Sequence, residues 1–319
     1  MRAFIFPGQG SQAVGMGQAL AAASPHAREV FEEVDDALGQ RLSALMFDGP
    51  IDLLTLTENA QPAIMANAVA TLRVLEKEGN VRLADKADFV AGHSLGEYSA
   101  LCAAGALDLP TTARLLKLRG RAMQAAVPAG EGAMAALLGA DLEKAELIAG
   151  TAVDQLLAEG GEPLVCTVAN DNDPTQVVIS GHRAAIERAV AIARDLGAKK
   201  AMLLQVSAPF HCPLMGDAAD AMEAALADAS MSAPLVPVFT NVDAAPVADP
   251  GALRFALVQQ VTAMVRWRES VAAMAGEGTS DFVEFGAKVL SGMVKRIIPD
   301  ATATSVVTMN DIETLLARL

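Results

Sequence analysis

The chain has 319 residues, 52% of them apolar, and a formal net charge of −14 from 24 basic and 38 acidic side chains. That length and apolar content allow one large α/β domain, or one carrying a smaller insert, and argue against disorder. The acidity, together with only 4% aromatic residues, argues against a nucleic-acid partner, which needs a basic stripe or stacking platforms.

No run of about 18 apolar residues occurs, so no membrane span is expected. The first segment, MRAFIFPGQGSQ, turns at Pro7 and Gly8 too early for the apolar core of a signal peptide and reads as a strand over residues 3–6. Helices are predicted over Pro25–Leu38, with Ser24 as cap, and over about 60–78. Phe89-Val90-Ala91 is a short buried strand ending at Gly92, with helices following from Leu95 and over about 109–126. A different rhythm then sets in: strand 133–138, helix 141–157, strands 163–169 and 176–180, helix 183–196 and strand 199–206. This β-α-β-β-α-β order is the split βαβ, or ferredoxin-like, motif. It is taken as an inserted subdomain over 129–204, set into a larger body of 1–128 and 205–319. The remaining expectations are helices at 213–229, 253–264, 268–275 and 289–298, and strands at 236–239 and 281–285. Three widely spaced cysteines, Cys102, Cys166 and Cys212, suggest a reducing compartment with no disulfide frame and no metal site, hence a cytoplasmic protein.

Gly92-His93-Ser94-Leu95-Gly96 fits G-x-S-x-G and falls between a buried strand and a helix, where that motif must lie. The glycines leave room for a tight turn that exposes the Ser94 hydroxyl at a helix N-terminus. There the dipole favours developing negative charge, and the Leu95 N–H can help hold an oxyanion. Such a serine needs a base. Of the four histidines, His26 opens an exposed-looking helix, His93 adjoins the nucleophile and should point away from it, and His182 sits at a helix start. His211, in the irregular Ser207-Ala208-Pro209-Phe210-His211-Cys212 segment, is the strongest candidate by placement, though placement alone does not decide it.

These residues carry a resemblance to the malonyl-CoA:acyl-carrier-protein transacylases. It runs from Phe6-Pro7-Gly8-Gln9-Gly10-Ser11-Gln12 through Gly92-His93-Ser94-Leu95-Gly96-Glu97 and the helix bearing Arg119. It continues through Gln176-Val177-Val178-Ile179-Ser180-Gly181 and His211 to the tail near Lys288, so it covers nearly the whole chain. The resemblance implies an α/β-hydrolase-like body with a ferredoxin-like insert. It implies that Ser94 is acylated, that His211 is the base, that the N–H groups of Gln9 and Leu95 hold the oxyanion, and that Arg119 binds the malonyl carboxylate. Spacing alone does not choose Arg119 over Arg114 or Arg121. Gln260 is the expected partner that orients His211, a neutral amide that would steady the ring without strongly raising its basicity. The sequence departs from the family pattern at Phe285-Gly286-Ala287-Lys288, where Gly-Pro-Gly-Lys is usual, and this leaves the local turn open.

The implied reaction is a ping-pong transfer of malonyl from malonyl-CoA to the phosphopantetheine thiol of acyl carrier protein, feeding fatty acid synthesis. It needs no metal or redox cofactor, and a monomer is expected. An acidic carrier would require a local basic patch, for which Lys117, Arg121, Lys199, Lys200, Lys288, Lys295 and Arg296 are candidates. Phe210 and Leu95 could both restrict an α-branched acyl group. Three rivals are weighed: a hydrolase using the same serine, a non-catalytic module that keeps the fold, and a dinucleotide binder built on Gly8-Gln9-Gly10-Ser11-Gln12-Ala13.

Overall fold

A computed structural model describes residues 1–319. Two sheets organise it. The larger contains β1 (Arg2–Phe6), β2 (Phe89–Gly92), β7 (Val238–Phe239), β8 (Pro246–Val247), β9 (Asp281–Phe285) and β10 (Thr302–Val306) in the spatial order β10-β9-β1-β2-β7-β8. Neighbours are parallel except β7 and β8. The short apolar runs of β1, β2 and β9 suit strands covered by helices on both faces. Phe4 and Phe6 face one core and Ala3 and Ile5 the other, as a period of two requires.

The smaller sheet contains β3 (Gly132–Leu138), β4 (Cys166–Asp173), β5 (Gln176–His182) and β6 (Lys200–Leu203) in the order β4-β5-β3-β6, wholly antiparallel. Helices Leu142–Ala158 and Arg183–Ile192 complete the ferredoxin-like unit. Alternation again assigns the faces. Ala133, Ala135, Leu137, Val177 and Ile179 pack under the unit's own helices, whereas Met134, Ala136 and Val178 join the main core.

Two buried acids tie this unit to the larger body. Asp171 pairs with Arg268 and Asp173 with Arg296, each at 2.8 Å, and Asn170 bridges to Val265 in parallel. These partners explain why β4 covers Cys166–Asp173 rather than the expected 163–169. Asn170-Asp171-Asn172-Asp173 reads as a turn in isolation, but here its polar groups are paired across the unit boundary. Pro163, which lacks an N–H, lies outside the strand.

The predicted helix Pro25–Leu38 is present with those limits, although the Ser24 hydroxyl bonds Glu78 rather than capping it. β10 and the closing helix Met309–Leu316 lie beyond the elements anticipated from sequence, even though Thr308 and Asp311 form a capping box there. The turn at Gly286 forms without the family's proline. Gly286 has φ 83°, its carbonyl accepts from Asn67 at 2.7 Å, and Glu284 accepts the N–H groups of residues 289–291. No helix is long and apolar enough to cross a membrane.

Candidate active site

The parallel register of β1 and β2 places Phe6 opposite Gly92, so the loops leaving their carboxyl ends run side by side. In open α/β sheets that edge is where sites form. The β2 loop is the sharp turn anticipated from sequence. Ser94 has φ 53°, and the helix Gly96–Ala103 starts two residues later. A Cβ on Gly92 would lie 1.9 Å from Gly96 backbone, and one on Gly96 would lie 2.2 Å from the Phe6 carbonyl oxygen. Both positions are therefore closed to any side chain. Gly8 packs against His93 in this turn, and the next helix begins only at Gln18. A dinucleotide motif needs a helix opening directly from its glycines, so that rival loses its structural context.

Ser94 Oγ lies 2.7 Å from His211 Nε2. The other ring nitrogen, Nδ1, donates to a carbonyl at 2.8 Å, which leaves Nε2 free to accept the serine proton. That carbonyl is the main-chain oxygen of Gln260, which corrects the expectation that the glutamine side chain orients the ring. The Gln260 amide instead accepts from Arg119 Nη2 at 2.8 Å and donates to the Ser94 carbonyl at 3.0 Å and to Glu97 at 2.9 Å. His211 is buried, and its burial, followed by the positive charge of Arg119, pushes its pKa down to about 3. It therefore rests as the neutral imidazole a base must be.

Arg119 is 1% exposed, and all its hydrogen bonds go to neutral groups: Gln61 at 2.9 Å, Gln260 at 2.8 Å and Ser94 Oγ at 3.2 Å. Burial lowers its pKa, as it must for a desolvated cation. Its position depends on Gly120. A Cβ there would lie 2.6 Å from Thr57 and Glu58 backbone, so only glycine lets helix Leu109–Ala125 approach the start of helix Thr57–Glu78 so closely. That approach sets Arg119 beside Gln61. Arg114 and Arg121 point elsewhere: Arg114 bonds Thr111, and Arg121 pairs with Glu58.

A cleft of about 430 Å³ opens over Ser94, His211 and Arg119. Gln9 lines it, and neither the Gln9 nor the Leu95 N–H is engaged by a protein acceptor. The Leu95 side chain is buried in the core and does not line the cleft, whereas Phe210 does, so of these two Phe210 alone is placed to restrict an acyl group by bulk. His93 and His26 sit as the sequence suggests, His93 turned from the serine to Asn172 at 2.8 Å and His26 lying 3.5 Å from Glu29. His182 stands at the helix start, but its ring accepts from the Val165 N–H instead of capping the helix or facing solvent. Among the basic candidates, Lys117, Arg121 and Arg296 are taken by acids and Lys295 by the Ala301 carbonyl, whereas Lys199, Lys200 and Lys288 are exposed and make no ion pair.

Three participants escaped the sequence. Gln61 sits in a helix with no motif of its own, Asn241 follows the two-residue strand β7 whose pairing with β2 is long-range, and Asn172 lies near the end of β4, distant in sequence from the His93 it meets. Asn241 accepts the Ser94 N–H at 2.7 Å and donates to the Gly92 carbonyl at 2.7 Å, because β7 lies next to β2. Only sheet order could have brought it there.

Comparison with known proteins bears on the family and the fold. Residues 3–302 match the family model of the acyl transferase domain. The chain is 44% identical to the malonyl CoA-acyl carrier protein transacylase of Escherichia coli K12, covering 95% of this chain and 94% of that one. It is 51% identical to the acyl-carrier-protein S-malonyltransferase of Bartonella henselae, with a TM-score of 0.94 over 99% of this chain and 98% of that one. A malonyl-transacylase solved in complex with its type II PKS acyl-carrier protein is 39% identical, with a TM-score of 0.93 over 100% of this chain and 99% of that one.

Proposed function

The chain belongs to the malonyl CoA-acyl carrier protein transacylase family of acyltransferases, and from that premise we propose that it moves malonyl from malonyl-CoA to acyl carrier protein through an ester on Ser94. The observation that supports this most is the convergence on one hydroxyl of His211 at 2.7 Å and Arg119 at 3.2 Å. The first makes a nucleophile, and the second selects a carboxylate.

In this reading the malonyl carboxylate takes the two Arg119 nitrogens as a bidentate partner. Ser94 Oγ attacks the thioester carbonyl while its proton passes to His211 Nε2. The tetrahedral oxyanion is held by the Gln9 and Leu95 N–H groups. As the C–S bond breaks, His211 returns the proton to the departing CoA sulfur. The carrier's phosphopantetheine thiol then enters, gives its proton to His211 and attacks the ester. Collapse of that second intermediate restores the Ser94 hydroxyl with the proton from His211. The main-chain carbonyl of Gln260 keeps the imidazole in the required tautomer throughout.

The same reading takes residues 129–204 as the inserted unit that forms one wall of the cleft, and treats the protein as a cytoplasmic monomer that feeds fatty acid synthesis. Of the basic residues named from sequence, Lys199, Lys200 and Lys288 are exposed and unpaired, and so available to an acidic carrier. Incubation with malonyl-CoA followed by peptide mapping tests the reading directly. A malonyl adduct on Ser94, discharged by carrier protein, is the expected result. An adduct elsewhere, or steady release of malonate without carrier, overturns it, the latter in favour of a hydrolase.

A further inference from the structure

The left-handed backbone of Ser94 is costly for a residue with a side chain, and it is held from both sides. Its N–H donates to Asn241 Oδ1 at 2.7 Å, and its carbonyl accepts from Gln260 Nε2 at 3.0 Å. Both holding residues converge on one atom. Glu97 Oε2 accepts from the Asn241 backbone N–H at 2.8 Å and from Gln260 Nε2 at 2.9 Å. Glu97 is 0% exposed, and its second oxygen has no partner. A buried acid left half unsatisfied costs stability, and its retention beside Ser94 calls for an explanation in the site's geometry.

What that geometry decides is the direction of an amide. A glutamine can present its oxygen or its NH₂ along a given line, and only its neighbours choose. Glu97 Oε2 and the Ser94 carbonyl are both acceptors, so the Gln260 NH₂ must face them. Its oxygen is thereby turned to Arg119 Nη2 at 2.8 Å. The reverse orientation would set NH₂ against guanidinium, donor against donor, and push the fork off the serine.

We propose that Glu97 is a positioning residue for the carboxylate subsite: by fixing the Gln260 amide it holds Arg119 over the Ser94 hydroxyl, and so sets the preference for a charged acyl group over a neutral one. Glu97 touches no substrate and acts only through Gln260. The proposal rests on the malonyl-transfer reading above.

The test compares loading of Ser94 from malonyl-CoA and from acetyl-CoA in the full-length wild type, Glu97→Met, Glu97→Gln, Gln260→Leu and the double variant Glu97→Met/Gln260→Leu. Loss of the acceptor in Glu97→Met is expected to lower malonyl loading relative to acetyl loading by about tenfold. Glu97→Gln keeps an oxygen facing both amides and should largely preserve the ratio, which a merely structural role would not predict. In the double variant, Glu97→Met should change the ratio no further than Gln260→Leu alone, because both act on one element. Should Glu97→Met fail to fold, Glu97→Asp, which withdraws the acceptor by one methylene, carries the same comparison. A wild type that loads malonyl beside a variant with an unchanged malonyl-to-acetyl ratio overturns this proposal alone. A wild type that loads neither group overturns the functional reading as well.

Discussion

The Arg119 guanidinium stands 3.2 Å from the Ser94 hydroxyl, buried, with only neutral groups to receive its hydrogen bonds. A desolvated cation without an anion is unfavourable, and an incoming carboxylate that forms two parallel bonds to it relieves that cost. Arg119→Ala should therefore reduce kcat/KM for malonyl-CoA by about 10²-fold or more while changing acetyl-CoA far less. Arg119→Lys should not restore the difference, since an ammonium cannot form the fork. Equal losses with both thioesters would remove Arg119 from the carboxylate subsite.

Replacing Ser94, the proposed nucleophile, is a sharper test. Ser94→Ala should lower transfer by about 10⁶-fold, because nucleophile and base act as a unit. The mass shift of an acyl adduct should vanish with it. Persistence of the adduct would place the ester on another residue.

The acid limb of the rate profile reports on His211. Burial first and Arg119 second hold its pKa near 3, so acetyl transfer should show no loss of base near the ordinary value of 6.5. Arg119→Ala removes the second cause, the ring becomes easier to protonate, and the limb should move to higher pH. A limb that stays in place would separate the two groups electrostatically. Stability follows the same sign. The folded state binds fewer protons at His211 than the unfolded chain between about 3 and 6.5, so its contribution is lost as pH falls through that window. Glu97 runs the other way. Burial raises it to about 7, so its contribution is full below 4.5 and is lost as pH rises through 7.

Gly92→Ala and Gly96→Ala should both unfold or severely destabilise the protein, by more than about 3 kcal/mol, because each new methyl meets backbone at 1.9 or 2.2 Å. Chemical denaturation measures this. A stable Gly96→Ala variant would show that the turn can open.

Arg268→Ala leaves Asp171, 0% exposed, without its ion partner and should cost about 2 kcal/mol in denaturation. Because β4 also carries the Asn172 contact to His93, the same variant should lower transfer activity below the midpoint of unfolding. Unchanged stability would mean that the Asp173–Arg296 pair and the backbone bridge to Val265 hold β4 without Arg268.

Phe210 lines the cleft next to His211, so Phe210→Ala should raise turnover of methylmalonyl-CoA relative to malonyl-CoA by about tenfold. Comparable turnover of the two by the wild type would remove bulk as the basis of selectivity.

The sequence by itself determined the elements whose signal is local. The G-x-S-x-G turn, the order of the ferredoxin-like unit and the helix Pro25–Leu38 each depend on residues within a few positions of one another, where sterics and periodicity act. The resemblance then singled out Arg119 and Gln260, which no spacing could. Tertiary structure decided the rest. It chose the Gln260 carbonyl over its side chain for His211, because the side chain was already claimed by Arg119, Ser94 and Glu97. It extended β4 through an asparagine–aspartate run by supplying arginines from two distant helices. It also brought Gln61 and Asn241 to the site, through a glycine contact between helices and through the adjacency of β2 and β7. Hydrogen-bond partners for buried polar groups come from wherever the packing delivers them, and one-dimensional order does not record that delivery.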